Sequence, residues 1–166
     1  LRVNIHVRGP QVTVSIDLSG RGLHRRGIDR RGAEAPIKEN LAAAILRLAG
    51  WPPPDVSRPF VDPMCGSGTF LIEATSMALD IAPGLNRAIG ARGWRGHDPS
   101  LWKRLQADAT AREQRARTRT IRVFGSDVSE TALSIAVRNL RRAKLGSRVN
   151  LQQQSLKDLR APGSEP

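Results

Sequence analysis

Residues 61–70 of the chain read Val61-Asp62-Pro63-Met64-Cys65-Gly66-Ser67-Gly68-Thr69-Phe70, an acid at the end of an apolar run and two glycines one residue apart before a helical stretch. Such a turn lets backbone come close to a bound ligand, because glycine carries no Cβ and tolerates left-handed backbone. The third glycine of the dinucleotide fingerprint is absent, with Leu71 in its place, and no Gly-Lys-Ser/Thr follows, which removes a phosphate-cradling P-loop. A second acid, Asp127, ends the run Ile121 to Asp127 after Gly125-Ser126. A carboxylate at that place in nucleotide-binding folds can accept both hydroxyls of a ribose. The plain alternative for Asp62 is a turn or helix cap. Ser129 reads as the N-cap of the helix that starts at Glu130 rather than as a ligand. Cys65 has no His beside it and no activating motif, so it reads as a small side chain facing a pocket rather than as a nucleophile.

The elements that must position these residues follow from periodicity. Residues 1–20 alternate, with Val3, Ile5 and Val7 and then Val12, Val14, Ile16 and Leu18 each on one face and Gly9-Pro10 between, which predicts a β-hairpin. Residues 21–34 form a Gly- and Arg-rich basic linker, so the hairpin is expected to close a preceding RNA-binding domain or linker. From Ala35 the spacing turns helical, with Ile37, Leu41, Ile45 and Leu48 on one face, Pro36 at the start and Gly50 at the stop. Phe60-Val61-Asp62 is a strand and about Thr69 to Leu79 a helix. Residues 80–120 read as an insertion whose helix, Ser100 to about Arg117, has Leu101, Leu105 and Ala109 on one face. Ile121 to Asp127 is a strand, Glu130 to Lys144 a helix with Ala132, Leu133, Ala136, Val137 and Leu140 on one face, and Val149 to Gln153 a strand. Alternating β and α with short connections predicts an α/β fold, a parallel sheet with helices on both faces, over residues 35–166.

Length bounds the chain to one ordinary domain with an appendage: 166 residues, opening at Leu1 and closing on a polar, Pro-containing tail, read as a piece of a longer protein. Lys and Arg number 27 against 15 Asp and Glu, a formal charge of +12, which favours a polyanionic partner. The arginines gather at 21–31, 112–122 and 138–148, where solvated faces are the plain alternative to a nucleic-acid surface. One Cys excludes an internal disulfide, and three scattered His with that thiol have no metal-ligand spacing, so a reducing cytoplasm and no metal are expected. No apolar run approaches the ~20 residues that span a bilayer, and no membrane partner is expected. Trp51, Trp94 and Trp102 read as packing residues and His24 as a solvated loop residue.

Asp62-Pro63-Met64-Cys65-Gly66-Ser67-Gly68-Thr69 with Leu71-Ile72-Glu73-Ala74 resembles motif I of the class I methyltransferases that modify exocyclic amino groups of nucleobases. The likeness extends through Leu23-His24-Arg25-Arg26-Gly27, Ala35-Pro36-Ile37-Lys38-Glu39-Asn40, Asp80-Ile81-Ala82-Pro83-Gly84 and Gly93-Trp94-Arg95-Gly96-His97-Asp98. Together these resemble the N-terminal half of the bacterial bifunctional 23S ribosomal RNA (guanine-N2/N7) methyltransferase family, whose THUMP domain would precede residue 1.

The resemblance implies a class I S-adenosylmethionine-dependent methyltransferase fold, Rossmann-like and incomplete at its C-terminus, acting on the exocyclic amine of guanine in 23S rRNA. It implies S-adenosyl-L-methionine as cofactor, held at Asp62, Pro63, Cys65, Gly66, Ser67, Gly68 and Thr69 and, after the next strand, at Asp127 and Val128. Asp62 would meet the cofactor's ammonium and the glycines its methionine part. Members of such families often place an acid at the end of the third strand for the adenine amine, and Ser155 stands there instead. The Asn/Asp-Pro-Pro-aromatic run that holds the target amine is missing, so no catalytic residue is assigned and the chain alone is expected to be silent. Arg25, Arg26, Arg30 and Arg31 are the first choice for RNA contact. The rivals are a transfer-RNA guanine-N2 or a DNA adenine-N6 enzyme, a non-catalytic basic RNA-binding module, and a nicotinamide dehydrogenase, the last disfavoured by Leu71 and Met64-Cys65.

Overall fold

The computed structural model describes residues 2–20, 22, 24, 26–28, 37–55, 58–85, 87–88 and 90–160. Two strands open the chain, β1 (Arg2–Arg8) and β2 (Gln11–Asp17), paired antiparallel around the turn at Gly9. Opposed pairs Val3 and Ile16, Ile5 and Val14, and Val7 and Val12 put β-branched side chains on one face. All six are exposed.

The remaining strands, β3 (Phe60–Asp62), β4 (Val123–Asp127) and β5 (Asn150–Gln153), form a parallel sheet in that order. Between them run the helices α2 (Thr69–Ala78), α3 (Pro99–Ala116) and α4 (Glu130–Arg142), and α1 (Glu39–Leu48) precedes the sheet. In-register pairing sets Asp62 beside Gly125 and Asp127 beside Gln153, so the C-terminal ends of all three strands lie on one edge of the layer. Open parallel sheets bind their ligands at that edge.

The expectation of helices on both sheet faces is corrected. Helices α2 and α4 share one face: Ile72 and Leu79 pack with Leu140 and Leu145, and Ile121, Val149 and Leu151 close that cluster. Leu71 and Leu151 crowd Gly125, where an added Cβ would come within 2.5 Å of the first and 2.9 Å of the second. Because strand side chains alternate, the neighbours of these residues point the other way. Val61, Phe124, Ser126, Asn150 and Gln152 line a cavity of about 180 Å³ with Leu159 and Arg160, and no described helix covers it.

Two helix faces are corrected as well. Helix α1 packs on α2 through Glu39, Ala42 and Leu46, so the stripe Leu41, Ile45 and Leu48 stays exposed. A small residue such as Ala42 lets two helices approach closely, and that outweighs the larger side chains one step round the helix. Helix α3 buries Ala109 and Ala116 and leaves Leu101 and Leu105 exposed. Its start is fixed by Asp98, whose carboxylate accepts from the backbone N–H of Ser100 and Leu101, with Pro99 in the first turn.

A buried ion pair joins the 20s segment to α2. The Arg26 guanidinium donates to Glu73, whose side chain is 2% exposed. Burial pushes the Glu73 carboxyl above its ordinary value, and Arg26 pulls against that. Trp51 behaves as a packing residue, its ring tilted against Phe60 and its indole N–H donating to the Ala74 carbonyl.

Candidate functional site

At the strand-end edge, the turn 62–68 is held on three sides. Cys65 donates its backbone N–H to Ser126 O (2.9 Å), and the Ser126 hydroxyl donates to Pro63 O (3.3 Å), which fastens the turn to β4. Gly66 and Gly68 both take left-handed backbone, at φ +52° and +80°, which disfavours any side chain there. A Cβ at Gly66 would meet nothing within 4 Å, so this glycine faces open space; one at Gly68 would lie 3.2 Å from Ala136 Cβ, so that glycine is where α4 closes on the turn.

Asp127 bridges the turn and the next helix. One carboxylate oxygen accepts from Gly66 N–H at 2.9 Å and the other from Ser129 N–H at 3.0 Å. Each carboxylate oxygen has two lone pairs, so both retain acceptor capacity. Ser129 is the N-cap of α4, accepting from Ala132 N–H. Asp62 is half-buried at the end of β3, and burial raises its carboxyl above the ordinary value; the Met64 backbone N–H lowers it and the charge of Asp127 raises it further. The paired acids thus form a negative spot that a cation would relieve.

Cys65 is buried and its thiol is pushed up to about 12 by burial and then by the charges of Asp62 and Asp127. A thiol so protonated is no nucleophile at neutral pH. Ser67 and Thr69 are buried with hydroxyls 3.3 Å apart, and Thr69 opens α2. Val128 and Met64 are exposed apolar side chains at the rim, 71% and 70%. Ser155 lies beyond β5, where its hydroxyl accepts from Lys157 N–H as cap of a short 3-10 turn, Leu156–Asp158.

The structure therefore brings Asp62, Pro63, Cys65, Gly66, Ser67, Gly68, Thr69, Asp127 and Val128 to one edge. Arg25, Arg30 and Arg31 lie outside the described residues. Arg26 is turned onto Glu73, a different task from the expected phosphate contact. One residue of the site went unread in the sequence: Asn139, 1% exposed on α4, donates its side-chain amide to Ser67 O at 3.0 Å. Its signal was an Asn three residues after Ala136 and one before Leu140, on the helix face that the apolar pattern assigns to the core.

The profile of the RMKL-like methyltransferase domain matches residues 26–165. The chain belongs to that family. It is 43% identical over 159 residues to the ribosomal RNA large subunit methyltransferase K/L of Marinomonas sp. (strain MWYL1), covering 95% of the chain and 22% of that relative. Against the protein of the same name from Magnetococcus marinus the identity is 47% over 160 residues, covering 94% and 22%. The chain thus spans about a fifth of the length of these relatives. Among solved structures, SMU.472, solved in complex with SAH, superposes with a TM-score of 0.84 at 38% identity, over 96% of this chain and 40% of that one. The family's domain accounts for the three-stranded parallel sheet and the glycine turn. The hairpin β1–β2 precedes the matched residues.

Proposed function

We propose that this chain is the S-adenosylmethionine-binding part of an enzyme that methylates the exocyclic amine of guanine in 23S ribosomal RNA. One observation carries the reading: Asp62 and Asp127 end neighbouring parallel strands on either side of a left-handed glycine turn. The open space at Gly66 admits the methionine chain, the raised carboxyl of Asp62 suits its ammonium, and Asp127 has lone pairs left for two ribose hydroxyls. Val128 offers an apolar edge to the adenine, and Ser155 lies close along the chain to the same edge. The relatives' names and the SAH bound to SMU.472 support the same cofactor and substrate class.

Bound S-adenosylmethionine supplies a methyl group already activated on its sulfonium. The residues here have only to hold and orient it: Asp62 fixes the amino end, Asp127 the ribose, and the Ser67 carbonyl is kept in place by Asn139. The 166 residues contain no Asn/Asp-Pro-Pro-aromatic run. The groups that receive the target amine are assigned to a part of the whole protein outside this chain, and the hairpin β1–β2 to a preceding RNA-binding unit reached through the linker 21–34. The cytoplasm, where ribosomal RNA is modified, is the place this reading gives it. Among the described residues no helix is long and apolar enough to cross a membrane.

The test is calorimetry with S-adenosylhomocysteine and with NAD, followed by methyl transfer from labelled S-adenosylmethionine to 23S rRNA by the full-length protein. Binding of the first ligand alone and label on guanine N2 are expected. Label on an adenine amine, or preference for NAD, overturns the reading.

A further inference from the structure

A second cavity, about 590 Å³, opens at the far end of α2 from the glycine turn, between α1, α3, the segment after α2 and the end of α4. Its walls include Ser76, Met77 and Asp80 and none of the turn residues. Along α2 the lining starts at Ile72 and Glu73, about 6 Å along the helix axis from Gly68 at 1.5 Å per residue, runs on to Asp80, and shares no residue with the turn.

The charge of its lining is lopsided. Arg26, Arg47, Arg87, Arg112, Arg142 and Lys144 all border it. Among the described lining residues only Glu73 and Asp80 are acidic; Glu73 pairs with Arg26, and Arg112 lies 3.4 Å from Asp80 and 3.1 Å from Asp108 outside the cavity lining. Four of them, Arg26, Arg112, Arg142 and Lys144, come from the three arginine-rich stretches of the sequence, 21–31, 112–122 and 138–148, which folding gathers at one place. Arg47 and Arg142 stand in the last turns of α1 and α4, where a cation complements the helix dipole. That account does not reach Arg26, Arg87 or Arg112, which come from two connecting segments and the C-terminal part of α3; Arg26 and Arg112 are held by their acids, and Arg87 donates to Ser19 O at 2.8 Å. Like charges around one cavity repel, and its low-dielectric walls focus the positive potential inward, so an anion there relieves a standing cost.

We propose that this cavity is a phosphate site that grips the sugar–phosphate backbone of the RNA substrate on the side of the domain away from the methyl donor. The proposal rests on the RNA reading above and deepens it, giving the substrate an anchor separate from the reacting base. Its volume lies within the ~300–1,000 Å³ range of small-ligand sites and so admits a backbone phosphate with its sugar. Contacts of this kind position nucleic acid without reading sequence.

The test uses the full-length protein that carries this chain and a fluorescent single-stranded RNA of scrambled sequence, titrated at several salt concentrations. Arg47→Ala with Lys144→Ala removes two exposed cations whose side chains make no hydrogen bond or ion pair among the described residues. Arg95→Ala with Arg104→Ala removes the same charge from exposed positions outside the cavity. The cavity pair should weaken RNA binding about 10–30-fold near 0.1 M salt and flatten the slope of log K against log salt by about 1.4, two phosphate contacts of a single strand. The control pair should change affinity less than about twofold, well under one phosphate contact at that salt. Equal losses from both pairs, or from neither, overturn the proposal. Inorganic phosphate titrated in parallel separates the sources: saturable binding to the parent, lost in the cavity variant while RNA affinity stays unchanged, overturns the backbone assignment in favour of a free phosphate ligand. S-adenosylhomocysteine binding, measured on every variant, should stay at the parent value; if the parent itself fails to bind that ligand, the cofactor reading falls independently of the cavity.

Discussion

Asp62 and Asp127 divide the work at the strand ends, and the division gives the site a pH signature. The raised carboxyl of Asp62 means that the ligand-free protein holds its proton to a higher pH than an ordinary aspartate. An ammonium bound beside it favours the carboxylate and lowers that value again, so binding at a pH close to the raised value, where calorimetry must be run, releases a proton. Affinity for S-adenosylhomocysteine should be fully present above the raised value and decline as pH falls through it. Calorimetry in two buffers of different ionisation heat reads the released proton, and Asp62→Asn should abolish the release. An equal observed enthalpy in both buffers would sink the ammonium contact. Asp127→Ala removes the acceptor for Gly66 N–H and the proposed ribose contacts, each charge-assisted bond worth about 1.5–3 kcal/mol. Cofactor affinity and melting temperature should therefore both drop, and an unchanged affinity with a lowered Tm would leave Asp127 only its structural task. These acids and the two glycines were legible because their chemistry is written in their types and in their place after apolar runs. Asn139 was not: nothing in its type separates an exposed helix amide from one aimed at a carbonyl.

At the scale of elements, α4 is the template for the turn and α2 the helix that it feeds. Ala136 sits under Gly68 and Asn139 holds the Ser67 carbonyl, so Asn139→Ala leaves a buried acceptor without its donor, at a cost of about 1–3 kcal/mol. A fall in Tm with a weaker cofactor affinity is expected; a fall in Tm alone would show that the turn keeps its shape without the amide. On the other side of α2, Arg26→Ala strands the Glu73 carboxylate in the interior and should destabilise the protein by about 3–5 kcal/mol in chemical denaturation. Adding Glu73→Leu should recover much of that loss, because the unpaired buried charge is then gone. Strand and helix existence followed the alternating and 3.6-residue patterns closely, as did the Ser129 cap of α4; the Asp98 cap of α3 was not read. Which helix face meets the core did not follow for α1 and α3. Periodicity identifies an apolar stripe, whereas packing here selects the small residues Ala42, Ala109 and Ala116 that permit close approach.

At the scale of the whole molecule, the apolar surfaces left exposed bear on how the domain is embedded in the longer protein. The hairpin carries six β-branched residues on one face, all in the open, and a lone two-stranded ribbon is marginal in water without a partner layer. Seven residues of two strands present a face of roughly 24 by 10 Å, about 240 Å². A stable contact between separate proteins needs about 800 Å² per partner, so a face this small is best covered by a unit in the same polypeptide, where tethering supplies the effective concentration. The curated relatives, of which this chain spans 22%, have the length to provide one. Ile5→Lys with Val14→Lys places two charges on an opposed pair in the middle of that face. In the full-length protein this double substitution should speed proteolytic cleavage within residues 18–36 and weaken RNA binding, while S-adenosylhomocysteine affinity stays at the parent value, because the hairpin shares no residue with the strand-end site. Unchanged cleavage and RNA affinity would show that the apolar face is bare in the intact protein, and the assignment of the hairpin to an RNA-binding unit would then fail without touching the cofactor site.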